Sequence, residues 1–245
     1  MNDPEGKPAD RRRSIDLNAD LGEGFPNDVA LLDVVSSASV CCGAHAGDHD
    51  AIRRTLQAAV ERGVVVGAHP GYRDRAGFGR REQELSTNEV ALLILDQVAD
   101  LNHLGRDLGV RIRYLKPHGA LYNQAQHQEA VARGVLEAVD QLGLPLVGRP
   151  GSLLEALARA SGLRYIAEAF PDRRYRSDGS LTPRDEPGAM LSDPYDVAAN
   201  VRMLLADDRV ATLCIHGDEP SAVDVADCLR SIVRARGIVI RSFVE

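Results

Sequence analysis

The sequence predicts one β/α barrel of seven strands, and three observations point there. Short apolar runs alternate seven times with longer helical patterns, which gives a mostly parallel sheet with helices outside it. Histidines, acids and a lysine gather at the carboxyl ends of those runs, where β/α barrels keep their sites. The third observation is a missing signal. An open doubly wound sheet also fits the alternation, but it usually carries a glycine-rich phosphate loop after its first strand. Here Gly22-Glu23-Gly24 has no third glycine at the right spacing, and no G-x-x-x-x-G-K-[ST] occurs anywhere. The barrel is therefore favoured, and 245 residues suit a fold that typically needs about 250.

Each element follows from local signals. Residues 1–13 are polar, end in Arg11-Arg12-Arg13, and read as a disordered tail before a single barrel domain over 14–245. Strands are expected at Ser14–Asp20 and Ser37–Cys42. A helix over Asp48–Arg62 has acids at its start and Gly63 at its end. Val64–Ala68 is the third strand. Ser86 and Glu89 form a capping box that opens a long helix to about Leu108. Arg111–Lys116 is the fourth strand; a helix from Gln128 to Leu142 leads to the fifth, Leu144–Gly148. Ser152–Ala160 is helical and Arg164–Ala169 is the sixth strand. Phe170–Ser192, rich in Gly, Pro and charge, reads as a loop, and Asp193-Pro194 starts the next helix. Val210–Ile215 is the seventh strand, Ser221–Arg236 the last helix, and Ile238–Ile240 a short terminal strand.

Composition excludes several function classes. With 44 % hydrophobic and 27 % charged residues the chain is an ordinary globular one. A net charge of −7 argues against non-specific nucleic-acid binding, which needs a basic face. No apolar run approaches the ~20 residues that span a bilayer, and the N-terminus lacks a secretory signal. The four cysteines contain no C-x-x-C pair, and Cys41 and Cys42 are adjacent, which suits a reducing cytoplasm better than a disulfide framework.

The candidate site comes from the strand ends. Asp20 ends the first strand with Glu23 just beyond, and His45 follows the second. His69 follows the third, Lys116 and His118 the fourth; Glu168 lies on the sixth, and His216 and Asp218 end the seventh. Side chains alternate faces along a strand, so Asp16, Asn18 and Asp20 share one face, as do Thr212, Cys214 and His216. Polar stripes inside a barrel are costly unless the groups bind each other, water, a metal or a substrate. Blander readings stand beside this one. Asp16 and Asn18 suit a structural network, Glu23 a capping acid, and His69-Pro70-Gly71 a turn. The Gly77–Arg81 segment, with Arg80 and Arg81, is either a solvated basic loop or a clamp for a carboxylate or phosphate. Cys42 is a core residue or a nucleophile. If a metal is bound, Asp20, His45 and His69 are its expected ligands from three strand ends.

These residues also form a recognisable series. Asp16–Glu23, Cys42–Asp48, Gly67–Tyr72 with Gly77–Arg81, Lys116–Asn123, Glu168–Arg173 with Tyr175, and Ile215–Asp218 occur in order across the chain. Together they resemble the motifs of the LamB/YcsF family, with departures at Ala44, His49 and Pro171. The resemblance implies a cytoplasmic barrel akin to the glycoside hydrolase/deacetylase barrels. It implies ATP-dependent opening of 5-oxo-L-proline to L-glutamate, with ATP as its Mg2+ complex, in a 5-oxoprolinase assembled with partner subunits B and C. Under that reading Asp20 or Glu23 is the general base for water, Lys116 stabilises the reacting oxygen, and His118 is an acid. Asn18, His45, His69, Glu168, His216 and Asp218 orient substrate or water, and Arg80 or Arg81 holds a carboxylate. Two alternatives remain open: a stand-alone metal-dependent amide hydrolase or deacetylase, and a non-catalytic scaffold subunit.

Overall fold

The computed structural model describes residues 13–177, 179–184 and 186–244, apart from the side chain at 194. The strands are β1 (Ser14–Leu21), β2 (Ser37–Cys41), β3 (Val65–His69), β4 (Ile112–Leu115), β5 (Leu146–Gly148), β6 (Tyr165–Ala169), β7 (Val210–His216) and β8 (Val239–Ile240). The helices are α1 (Asp28–Leu31), α2 (His49–Arg62), α3 (Thr87–Gly105), α4 (Gly119–Ala125), α5 (Glu129–Leu142), α6 (Leu153–Ala160), α7 (Pro194–Leu204) and α8 (Ala222–Ala235). Sequence patterning missed α1 and α4, which are too short to show an amphipathic period. Of the expected N-terminal tail, residues 1–12 lie outside the described residues. Arg13 does not belong to a tail: its carbonyl accepts from Val239 N, and its guanidinium donates to Leu205 O at 2.6 Å. No helix among the described residues is long and apolar enough to cross a membrane.

Seven parallel strands close into a barrel, because β1 pairs with both β2 and β7. In β7 against β1, Asp16 faces Thr212, Asn18 faces Cys214 and Asp20 faces His216. The two polar stripes therefore lie side by side. The eighth strand does not enter the barrel; it pairs only Val239 with Ser14 and Ile240 with Ile15. The thinnest seam is β4–β5, with Leu115 and Leu146 as its one register pair. Pro145 and Pro117 flank that pair, and proline has no N–H to extend a ladder.

Helix signals in the sequence act as expected. Asp48 accepts from Ala51 N at the start of α2, and Gly63 ends it in the left-handed conformation. The Ser86–Glu89 capping box is complete, and α3 then tightens into a 3-10 turn at Arg106–Leu108. The outward strand residues Ile15, Leu17, Ala19 and Leu21 pack under the helices with Ile52, Leu56, Ile94 and Leu229.

The barrel interior is layered. At the amino ends of the strands Tyr114, Val147 and Ile166 form an apolar plug, closed from below by Val244 and by Phe243, whose ring lies 5.0 Å from that of Tyr114. Gly67 makes room for this plug, since a Cβ there would lie 2.2 Å from the Tyr114 ring. Beside the plug Asp16 accepts from the hydroxyls of Ser36, Ser37 and Thr212. Burial outweighs these bonds and raises its pKa to about 6. Between roughly pH 4 and 6 the folded state thus binds more protons than the unfolded chain, whose Asp titrates near 3.9. Stability from this group is present below pH 4 and lost as pH rises through about 6. Denaturant titrations from pH 4 to 8 should show the wild type losing about 3 kcal/mol relative to Asp16→Asn. A pH-independent difference between the two would contradict this.

Candidate active site

The strand ends deliver most of the expected residues to one cavity of about 820 Å³ at the carboxyl face of the barrel. Asp20, Glu23, His69, Arg80, Lys116 and His118 line it, together with His216 and Asp218. Lys116, on the residue that follows β4, lines it and is only 2 % exposed. The ammonium lies 2.8 Å from Asp20 Oδ1 and 2.8 Å from Glu168 Oε1. It also approaches Asn18 Oδ1 at 3.3 Å and Cys214 Sγ at 3.0 Å. Burial pushes the lysine pKa down, but Asp20 and Glu168 reverse that and hold it well above its usual value. Burial likewise pushes Asp20 up, and the charges of His69 and Lys116 keep it well below the ordinary range. The floor of the cavity is thus the Asp20–Lys116 ion pair, with the Glu168 carboxyl group buried behind the lysine. Glu168 Oε2 and the buried hydroxyl of Tyr122 have no partner. Buried polar atoms are normally satisfied, and Tyr122 lines the cavity, so its hydroxyl marks a place where a substrate or water would bond.

Above this floor lies a histidine cluster. His69 Nδ1 donates to Lys116 O at 2.7 Å, and its Nε2 lies 3.3 Å from Asp20 Oδ2. His118 Nε2 donates to Phe78 O at 2.8 Å. That leaves His118 Nδ1 facing His69 Nε2 at 3.0 Å. His45 stacks on His118 with ring centroids 3.7 Å apart and offers Nε2 to Glu23 Oε1 at 3.2 Å. Burial, with the neighbouring His69, lowers the His45 pKa to about 3. Burial, His45 and His69 push His118 well down. Burial and the charges of Asp20, Asp218 and Asp28 push Glu23 well up. The packing needs Gly79, since a Cβ there would lie 2.8 Å from His45 Cβ and 2.9 Å from His118 Cδ2.

The rim is basic. Arg80, Arg149, Arg173, Arg176 and Arg184 all line the opening. Asp218 Oδ2 bridges two of them, with Arg80 Nη2 and Arg184 Nη1 each at 2.7 Å. Arg80 also lies over the Phe78 ring, 4.8 Å from its centroid. Arg173 is 7 % exposed, donates to Thr182 O, and its Nε has no partner. His216 donates to Asp172 Oδ2 at 2.8 Å and stacks on Phe170.

Several expected roles change on this geometry. Arg81 is outside the cavity, on the surface, 3.6 Å from Asp74. Asn18 does not line the cavity; it bonds Glu168 and Thr212 and so positions the carboxylate that holds Lys116. Glu168 lies buried behind Lys116, and His45 backs His118. Asp218 acts through Arg80 and Arg184. In its neutral form His118 spends its N–H on Phe78 O and has none to aim at the cavity, and burial beside Asp20, Asp218 and Asp28 disfavours the ionised form of Glu23. Asp20, His45 and His69 are not among the ligand sets that converge within 4.8 Å; those are Asp20, Cys214 and His216, and Glu23, His69 and His118. Burial pushes the Cys42 thiol up to about 12, which disfavours the thiolate that a nucleophile needs. Sequence reading missed Tyr122, Phe170, Asp172, Arg173, Arg184 and Cys214 as site residues. Arg184 sits in a segment without periodicity, whereas Cys214 was legible from the alternation of β7.

A closed parallel β/α barrel with buried ionisable groups at the carboxyl ends of its strands has the layout in which β/α-barrel enzymes keep their active sites. The chain belongs to the LamB/YcsF family, whose model matches residues 15–245. The A subunit of 5-oxoprolinase from Mycobacterium avium (strain 104) is 44 % identical over 248 residues, covering 94 % of this chain and 98 % of that protein. The crystal structure of the lactam utilization protein from Thermus thermophilus has a TM-score of 0.85 at 38 % identity, over 94 % of this chain and 100 % of that one. The catalytic domain of a peptidoglycan N-acetylglucosamine deacetylase from Eubacterium rectale ATCC 33656 shares the fold, with a TM-score of 0.54 at 16 % identity over 97 % of this chain and 91 % of that one.

Proposed function

We propose that this chain is the A subunit of a cytoplasmic, ATP-dependent 5-oxoprolinase and carries the site where 5-oxo-L-proline is opened to L-glutamate. The relatives' names supply the substrate class. The observation that carries the reading is the Lys116 ammonium, buried between Asp20 and Glu168 on the floor of an arginine-rimmed cavity.

The chemistry needs each part. A five-membered lactam is an unactivated amide, and phosphorylating its oxygen makes a far better electrophile. Asp20, kept ionised, is the base that takes a proton from the attacking water. Lys116, kept charged in a site shielded from solvent, stabilises the oxygen on which negative charge develops. Arg80, Arg173 and Arg184 supply the cations for the substrate carboxylate and for phosphoryl oxygens. No phosphate loop is present, so the nucleotide is held by these arginines or completed by the partner subunits B and C.

The test is glutamate release from 5-oxo-L-proline, with and without ATP, by the chain alone and with its B and C subunits. ATP-dependent glutamate in the mixture, lost when this chain is omitted, is the expected result. Turnover of an acylated sugar or amide by the chain alone, without ATP, would instead support the metal-dependent hydrolase reading, which the Glu23, His69 and His118 convergence favours. Full glutamate release with an Asp20→Asn chain would favour a scaffold role.

A further inference from the structure

We propose that Glu23, His69 and His118 form a binding site for one divalent first-row transition cation. Their ligand atoms converge within 4.8 Å. The argument starts from where the histidine protons are. His69 Nδ1–H is spent on Lys116 O, and His118 Nε2–H on Phe78 O. The remaining ring nitrogens, His69 Nε2 and His118 Nδ1, then face each other across 3.0 Å. A shared proton or a cation makes that approach favourable, and Glu23 Oε1, 3.5 Å from His118 Nδ1, brings a third ligand atom to the same place, which favours the cation. Metal-bound imidazoles characteristically donate their far N–H to a backbone carbonyl or carboxylate, which fixes the tautomer and aims the other nitrogen. Both rings here are fixed in that way.

Two of the ligand separations bear on the coordination. With metal–ligand bonds of about 2.1 Å, two nitrogens 3.0 Å apart subtend about 90° at an ion. That is the cis angle of six-coordination; tetrahedral geometry would need them about 3.4 Å apart. Glu23 Oε1 lies 3.5 Å from His118 Nδ1, an angle of about 110° on the same basis. Two imidazoles and one carboxylate suit manganese, iron, cobalt or nickel better than magnesium. Supporting contacts surround the set. His45 Nε2 bonds Glu23 Oε1, and the Phe78 carbonyl is turned onto His118 by a left-handed backbone at φ 54°. Phe78 is the one non-glycine residue with positive φ among the described residues, a conformation that costs about 1 kcal/mol. The second convergent set, Asp20, Cys214 and His216, is already served by the Lys116 ammonium, which contacts Asp20 and Cys214.

The site does not depend on which amide the enzyme opens, so binding is read directly. Full-length protein is stripped with a chelator and titrated with Mn2+, following loss of the free aqueous Mn2+ signal by electron paramagnetic resonance. Ni2+ and Zn2+ are titrated in parallel by calorimetry. One Mn2+ per chain is expected, with a raised melting temperature in its presence. Glu23→Gln, which keeps the side chain's shape, and His118→Asn should each weaken binding by about 100-fold, while His103→Asn on the exposed face of α3 should not. Melting of each metal-free variant shows whether it is folded, and Glu23→Gln carries the test if His118→Asn is not. No binding of any of the three ions up to about 1 mM, or binding unchanged in folded Glu23→Gln, overturns the site.

Discussion

Replacing Lys116 by Met is expected to remove ATP-dependent glutamate release from the reconstituted complex by about a thousandfold or more, the scale of losing a principal electrostatic stabiliser. The structure adds a stability cost, because methionine leaves Asp20 and Glu168 buried without the cation that lies 2.8 Å from each. Stranding one partner of a buried ion pair typically costs about 3–5 kcal/mol. Adding Glu168→Gln removes one stranded charge, so the double variant should regain part of the stability and none of the activity. Denaturant titration and the coupled glutamate assay separate the two effects. A fully active Lys116→Met chain would take the lysine out of the chemistry, and an unchanged stability would contradict the buried triad.

The second large effect lies at the other end of the barrel. Gly67→Ala is expected to destabilise the fold by about 1–3 kcal/mol, the usual range for forcing a methyl group into a packed core. Its Cβ would lie 2.2 Å from the Tyr114 ring, which is fully buried against Val147, Ile166 and the C-terminal Val244. Tyr114→Leu in the same chain shortens the obstructing side chain and should recover much of the loss. Thermal and denaturant unfolding of the single and double variants provide the cycle. Additive effects would show that Gly67 and Tyr114 do not constrain each other.

How far the sequence reached depended on whether a signal was local. Alternation along β1 and β7 determined which residues face inward, because the period of a strand is two regardless of what surrounds it. Capping residues determined the starts of α2 and α3 for the same reason. The order of motifs determined the family. The residues at strand ends were legible as one site because every parallel strand of a barrel delivers its carboxyl end to the same face.

Only the tertiary structure decided how those residues divide their roles. Lys116 and Asp20 are 96 positions apart in the chain, yet they form one ion pair. Arg80 and Arg81 are adjacent and identical in type. A single step along the loop puts Arg80 on Asp218 at the cavity and Arg81 on Asp74 at the surface. His118 reads as a proton donor until the Phe78 carbonyl is found holding its Nε2 proton. A residue's type sets which charges and hydrogen bonds it can offer, and that much is local. Its protonation and its partner are set by burial and by groups distant in sequence, and those exist only once the barrel has closed.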